Sequence, residues 1–531
     1  MTNRDKTRFM TSLLSLCRSP PPISLCHVRI RARHYSSKHL NTTSTALPKP
    51  RLDYRAISEN VVYKSHNAFN RKAPLPVGAI QSIERLYNRQ KELSHVLNAK
   101  RHAQSAIGER IRQAGNDEEA RRAALHHAKE LKSIVSQLEH DLALVDAELF
   151  SLASAVPNDT HPLTPLGPES AAVVLSTHGP DPIPPSPLRD HVSVCRDLGL
   201  LDLEAGATVT GSSWYYLLHE AAMLEMALTN YGLSIALNHG FTPVATPDVV
   251  RSDVARRCGF QPRDNADPSV SQMYHLSATD SPSPSHPELV LSGTAEIPLA
   301  GMFANKILPL RDLPLKVVGL GRAFRAEAGA RGTETRGLYR VHQFTKLELF
   351  AVSQAGQSEE MMEEMQRVQV EIFNGLGFPF RCVEPSHSSV PAHASASVLD
   401  MPSEELGASA YRKYDIEAWM PGRGSWGEIS SLSNCTDYQA RRLHIRHRPA
   451  PLSSYASPSP ASTSLPFAHT LNGTAVAVPR LIVALLENGA RFNDSGQVVG
   501  INLPVALKPF WPQAYSRECV RFSGRDVVQW V

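Results

Sequence analysis

No CxxC pair and no dense cysteine cluster occurs in this sequence. Seven cysteines are scattered over 531 residues, two of them, Cys17 and Cys26, near the N-terminus. This pattern excludes a disulfide framework and a zinc signature. No zinc is expected, and the five body thiols read as buried, inert groups. No apolar run approaches the roughly 18 residues needed to span a bilayer, so no membrane segment is expected. The glycine patterns of a Rossmann turn and of a P-loop are missing, so any nucleotide site must use another scaffold. The net charge is only +4, and a nucleic-acid partner would have to be met by local clusters of charge. Acid is scarcest at the start of the chain, where Met1 to Leu52 hold only Asp5.

What that stretch does hold is base: Arg4, Lys6, Arg8, Arg18, Arg29, Arg31, Arg33 and Lys38, with Ser and Thr between them. Arg-rich, Ser-rich and acid-poor is the composition of a mitochondrial transit peptide. The apolar "FMTSLLSLC" could imitate a secretory segment, but the later arginines and the lack of a disulfide pattern argue against export. "RHYSS" (Arg33 to Ser37) resembles a matrix-protease cleavage site. The expectation is a transit peptide over 1–35 and a place in the mitochondrial matrix. The remaining chain has the composition of a globular protein and is too long for one small core, so it should form two or more domains.

A charged, Ala- and Leu-rich region follows, about 79–155. It breaks once, at "QAGNDEEA", where Gly115 and Asn116 can end one helix and Asp117, Glu118 and Glu119 suit the start of the next. In the second half Ala124, Ala128, Leu131, Val135, Leu138, Leu142, Val145 and Leu149 recur at alternating spacings of four and three, an a/d seam. The first half offers a rougher stripe of Ile83, Leu86, Leu93, Leu97, Ile107 and Ile111. Two such helices joined by a short turn should pack as an antiparallel hairpin. Arg110, Arg112, Arg121 and Arg122 cluster toward its turn, where they could hold a phosphate backbone or simply solvate a coiled coil. Prolines from Pro157 to Pro168, then "GPDPIPPSPL", mark a boundary. Domains are therefore expected at 36–156, with the hairpin, and at 157–531. "LLHEAAMLEMALTNYGLSIALN" reads as an amphipathic helix, and the Ser/Pro-rich stretch near 449–466 as a loop.

The chemistry lies in four later stretches: "SGTAEIPLA", "GRAFRAEAGARGTETRGLYRVHQFTKLE", "GEISSLSNCTDYQARR" and "HTLNGTAVAVPRLIVALLENG". Read as a strand, Gly337 to Phe350 places Arg340, His342, Phe344, Lys346 and Glu348 on one face. A row of cation, aromatic and anion needs a ligand that carries all three complements. Taken together, "TAE", "FRAEAG", "RGLYRVHQFTKLE", "NCTDYQARR" and the hairpin resemble the seryl-tRNA synthetase family of class II aminoacyl-tRNA synthetases, in a mitochondrial form.

The resemblance implies an α+β fold: an antiparallel β-sheet catalytic domain flanked by helices, plus the two-helix arm. It implies activation of serine by ATP to seryl-adenylate, transfer to tRNA, Mg²⁺ with the ATP, and a homodimer through the helix and strand up to Pro247. By the same resemblance Phe344 stacks on adenine with Arg480 over its other face. Arg325 holds the α-phosphate, Glu327 accepts from the adenine amino group, and Arg340 reaches the distal phosphates. Val341, Ile429 and Ser430 complete the ATP site. Glu428 and Ser431 bind Mg²⁺. Thr294, Glu296, Glu348 and Thr474 receive serine together with Arg325. Arg325 and Arg480 are the expected catalytic pair, acting by alignment and charge neutralisation. His342 and Gln343 are given no chemistry, and Asn434 and Asp437 can be braces only. Glu405-Leu406-Gly407 departs from the family's Asp-Leu-Gly. The rival readings are a catalytically inactive synthetase-like scaffold or RNA-binding protein, which should lack ligands that are present here, and a carrier-protein aminoacyl ligase, which should lack the arm.

Overall fold

The structure, a computed structural model, describes residues 46–113, 117–174, 176–260, 272–277, 287–327, 336–382, 399–449, 465–512 and 527–531. The expected transit peptide, the proposed turn at Gly115 and Asn116, the side chain of Arg110 and nearly all of the Ser/Pro-rich loop lie outside the described residues. Leu47–Val531 forms one compact unit.

The first elements are short helices α1 (Tyr54–Glu59) and α2 (Val61–Asn70), then the two long helices α3 (Ala79–Gln113) and α4 (Glu118–Ser154). The start of α4 carries Glu118 and Glu119 in its first turn, and Asp117 Oδ1 accepts the Glu119 N–H at 3.1 Å, so charge and cap agree. The heptad seam faces inward: Leu131, Val135 and Leu149 are buried, and Ala124, Ala128, Leu138, Leu142 and Val145 are half-buried. From α3 the seam is met by Ile83, Leu93, Leu97 and Ile107, all buried. Polar links across the pair fix the antiparallel sense: Gln90 Nε2 to Asp146 Oδ1 at 2.6 Å, and Arg101 Nη2 to Glu139 Oε1 at 2.7 Å.

At its root the hairpin has a small core of Ile57, Ile80, Ile83, Leu149, Ala153 and Val156. Arg71, which closes α2, is buried there. It donates to the carbonyls of Asn158 (3.0 Å) and Ala410 (2.8 Å) and also to that of Gly407. The Glu405-Leu406-Gly407 departure thus lies where the arm is fixed to the body, away from the chemistry.

The body is built on a sheet that has ten strands among the described residues. Its central run comprises β1 (Thr242–Ala245), β2 (Leu315–Phe324), β3 (Gln343–Ser353), β4 (Arg412–Met420), β5 (Ser425–Asn434) and β6 (His469–Ala477), in the order β4-β5-β6-β3-β2-β1. All of these neighbours are antiparallel except β1 and β2. Helices α5 (His219–Asn238), α6 (Glu296–Met302), α7 (Ser358–Asn374) and α8 (Val478–Gly489) flank it. This is the class II architecture expected from the motifs. The α5 helix, expected from "LLHEAAMLEMALTNYGLSIALN", starts at His219.

One expectation needs correction. Gly337 to Phe350 is not a single strand, because β3 begins at Gln343. Gly337 has φ +69°, and a Cβ there would meet His191 Nε2 at 2.2 Å. Backbone of that hand, packed that closely, belongs to a turn that only glycine fits. The Leu338 N–H donates to His191 Nε2 (3.2 Å), leaving Nδ1 to donate to Glu487 Oε1 (2.9 Å). Arg340 therefore reaches the site from a pinned turn rather than from a strand face.

Two β-bulges reset the faces of the sheet. In the β4–β5 pair Ile416 faces Ser430 but Glu417 faces Glu428, so Ile429 is the extra residue. In the β3–β6 pair Leu347 faces Val476 but Glu348 faces Thr474, so Ala475 is extra. Each extra residue shifts the two-residue alternation by one. Glu428 and Ser431, three apart, come to one face of the sheet, as do Thr474 and Ala477.

Candidate active site

The two bulges open a cavity on that face. It is lined by Arg325, Glu327, Arg340, Val341 and Phe344, by Glu428, Ile429, Ser430 and Ser431, and by Thr474 and Arg480, with Tyr339, Lys346 and Pro479 among the remaining walls. Every residue expected to meet ATP is therefore in one place, from three stretches far apart in sequence. A larger cleft elsewhere, lined by α5 and β2 residues such as Met226, Leu320 and Arg322, gathers none of them.

Electrostatics organise the cavity. Arg480 enters from the first turn of α8, and its Nη1 lies 3.0 Å from Glu428 Oε2 and 2.9 Å from the Glu428 carbonyl. Burial by itself would raise the Glu428 carboxyl. Arg480, then Lys413 and Arg325, outweigh it and hold the group at about 2. Glu428 is thus ionised at any working pH. Its carboxylate and the Ser431 hydroxyl are hard oxygen donors, and a Mg²⁺ ion fits that donor set. Burial, then the neighbouring Arg480 cation, lowers the Arg325 pKa. Its guanidinium lies over the Phe344 ring, 5.3 Å from the centroid, and its Nε donates to the Gly293 carbonyl at 3.3 Å. Arg480 lies over Tyr339 at 4.8 Å. Arg340 and Glu327 form an ion pair of 3.3 Å. Glu327 has φ +46°, a sparsely populated backbone for a non-glycine residue and a form of strain that clusters at functional sites.

Ser430 lines the cavity while its hydroxyl is engaged elsewhere. The bulge turns it to the other face, where its hydroxyl donates to the Thr474 carbonyl (2.6 Å) and accepts from Gln369 Nε2 (2.8 Å). It touches the cavity without offering its hydroxyl.

The residues assigned to serine divide. Thr474 lines the cavity, and Thr294, Glu296 and Glu348 sit behind Lys346. The Lys346 ammonium lies 2.7 Å from Glu348 Oε2 and 3.4 Å from Thr294 Oγ1. This ion pair holds the Glu348 carboxylate, which is buried. Glu296 Oε1 accepts from Gln439 Nε2 (2.6 Å) and Asn472 Nδ2 (3.0 Å). Burial, then the nearby Glu348 carboxylate, pushes Glu296 up to about 7. Lys346, Tyr339, Gln369, Gln439 and Asn472 carried no assignment from the sequence. Lys346 stood on the same strand face as Phe344 and Glu348, and that was the signal for it.

At the arm, Arg112, Arg121 and Arg122 are exposed near the turn. They lie far along the hairpin from the cavity.

The family model for the class II tRNA synthetase core domain (G, H, P, S and T) matches residues 278–489, and that for the seryl-tRNA synthetase N-terminal domain matches 52–160. A serine–tRNA ligase of Treponema denticola is 38% identical over 86% of this chain and 98% of its own length. The chain belongs to the seryl-tRNA synthetase family. A mitochondrial serine–tRNA ligase of Schizosaccharomyces pombe resembles this synthetase equally, at 38% identity over 87% of the chain and 89% of the relative. Among solved structures, the seryl-tRNA synthetase of Pyrococcus horikoshii complexed with ATP has a TM-score of 0.71 and 31% identity. That match covers 86% of this synthetase and 98% of the archaeal chain.

Proposed function

We propose that this enzyme, a serine–tRNA ligase built on a class II core, charges tRNA(Ser) in the mitochondrial matrix. The basic leader supports the compartment, as do mitochondrial relatives from two yeasts. The observation that carries the chemistry is the cavity itself, where Arg325, Arg480 and an ionised Glu428 surround Phe344. Lys346 in its wall pairs with the buried Glu348 carboxylate at 2.7 Å.

In this reading ATP lies with adenine on Phe344, its α-phosphate against Arg325 and its distal phosphates toward Arg340. Glu428 and Ser431 would hold Mg²⁺, which would supply positive charge at the phosphates. Glu348 and Glu296 take the ammonium and hydroxyl of serine, with Thr294 and Thr474 beside them. The serine carboxylate attacks the α-phosphate and pyrophosphate leaves; a terminal ribose hydroxyl of tRNA then attacks the activated carbonyl, breaking the acyl–phosphate bond and releasing AMP. No protein nucleophile is required. Arg325 and Arg480 act through fixed charge at the phosphate. The arm, with Arg110, Arg112, Arg121 and Arg122 near its tip, grips the tRNA. The domains divide as 36–156 and 157–531, behind a 1–35 leader.

The test is serine-dependent pyrophosphate exchange followed by charging of purified mitochondrial tRNA. N-terminal sequencing of the organellar protein should begin near Ser36. An intact Met1 would remove the import reading, and no exchange with serine would remove the chemistry. The face carrying α5 and β1 exposes Met226, Leu237 and Leu320, and we propose that it pairs two copies isologously. Sedimentation of an active monomer at working concentration would refute the dimer.

The Glu296 carboxyl also gives a pH expectation. Held at about 7, it is protonated below that pH and ionises through it. An ionised pocket suits the serine ammonium, so kcat/KM for serine, which follows the free enzyme's ionisations, should rise between about pH 6 and 8. Glu296→Gln should flatten that rise. The sign for stability is opposite. Between the ordinary carboxylate range and about 7 the native state keeps a proton that the unfolded chain releases, so this group's contribution to stability falls as pH rises there.

A further inference from the structure

We propose that Gln369 is the positioning residue that sets the gap between β5 and β6 and thereby shapes the amino-acid end of the cavity, an inference that rests on reading Thr474 and Glu348 as part of the serine site. The β5–β6 ladder runs through Asn434–Leu471, Ser433–Asn472 and Leu432–Gly473, and there it stops. The next residues along the two strands are Ser431 and Thr474, and both line the cavity. Where two strands part, backbone carbonyls lose their ladder partners and need others. Gln369, wholly buried on α7, supplies them. Its Nε2 donates to the Thr474 carbonyl at 2.9 Å, the Ser431 carbonyl at 3.0 Å and Ser430 Oγ at 2.8 Å. Ser430 Oγ then donates to the Thr474 carbonyl. Two hydrogens serve three acceptors, so one bond is shared, and the amide cannot flip without setting its oxygen against the same oxygens.

The strand beside the amide is cut to fit it. A Cβ on Gly473 would lie 3.3 Å from Gln369 Nε2 and 3.0 Å from Leu432 Cδ1. Gly473 leaves the room that the amide uses. Gln369 touches neither cavity nor substrate. It acts by holding the Thr474 and Ser431 backbone apart at a fixed spacing, so the serine pocket and the Ser431 oxygen are set together.

The test compares Gln369→Met, which keeps length and loses the donors, with Gln369→Glu, which places oxygens against oxygens. Serine-dependent ATP–pyrophosphate exchange is measured on the full chain, normalised to active sites by the burst of adenylate. The KM for serine should rise by roughly tenfold or more, the scale of losing one or two buried hydrogen bonds. The kcat per active site and the KM for ATP should change far less, and Gln369→Glu should be the worse of the two. Ser430→Ala, a milder change to the same network, should raise the serine KM by a smaller factor and keeps the test open if the Gln369 variants fail to fold. A purely structural role would lower the fraction of active sites and leave both KM values unchanged, and that result would overturn the assignment. Wild-type protein without serine-dependent exchange would overturn the pocket reading and this inference together, whereas a normal wild type with an unaltered serine KM in all three variants removes Gln369 alone.

Discussion

Glu348→Ala should abolish serine activation while ATP still binds. Glu348 is 1% exposed, and its Oε2 pairs with the Lys346 ammonium at 2.7 Å. A buried carboxylate has about four lone-pair directions, so Glu348 can accept from a substrate ammonium as well as from Lys346. Removing it loses a charged hydrogen bond to the substrate, about 2–3 kcal/mol or more. It also strands the Lys346 ammonium, which would then repel the ammonium of serine. Together these should lower kcat/KM for serine by at least tens-fold. None of the proposed ATP contacts involves Glu348, so ATP affinity measured by calorimetry should change little. Glu348→Gln keeps the shape and removes only the charge, and should fall between wild type and alanine. Near-wild-type exchange in both variants would take Glu348 out of the site.

Shortening the arm should separate the two half-reactions. The cut must spare the root, because Ile83 and Leu149 are fully buried there with Ile57 and Ala153. Removing 95–141 and joining the helices by a short turn leaves that cluster and the Gln90–Asp146 link intact. The cavity draws no residue from the removed segment. Seryl-adenylate formation should therefore continue at the wild-type rate, while transfer to tRNA falls steeply. Neutralising Arg112, Arg121 and Arg122 is the finer version. If each meets a phosphate, the slope of log affinity against log salt should flatten by about one for every arginine removed. A shortened enzyme that charges tRNA as well as the full chain would return the arm to the role of a solvated coiled coil.

The arm was the most legible part of the sequence. Its seam is a local periodicity, and each of the eight seam positions on α4 is buried or half-buried. The residues proposed for ATP were legible as a group because three motifs arrived together, and the structure gathers them in one cavity. The bulges at Ile429 and Ala475 were not legible. A bulge is a property of two strands, and nothing in "GEISSL" says which partner residue lacks a mate. Strict alternation would have put Glu428 and Ser431 on opposite faces and Ser430 beside Glu428. The same blindness hid the role of Lys346, whose hydroxyl partner Thr294 belongs to an earlier motif. Gln369 left a weak trace. It sits among Met361, Met362, Met365, Val368 and Ile372, a polar residue on the buried side of a helix, and a polar group in that place needs a partner.

The way the arm is fixed has a mechanical consequence. Helix α3 has 35 residues, so the hairpin reaches roughly 50 Å from its root, and a tilt of about one degree there moves the tip by about 0.9 Å. The arm is a lever with a short fulcrum, and the fulcrum is Arg71 seated on the Gly407 and Ala410 carbonyls. Aim is therefore decided at the base, by groups that meet neither RNA nor ATP. A change at Arg71 or Ala153 should redirect the tip without altering one residue that the tip presents, across a distance over which no electrostatic influence from the root would survive physiological salt.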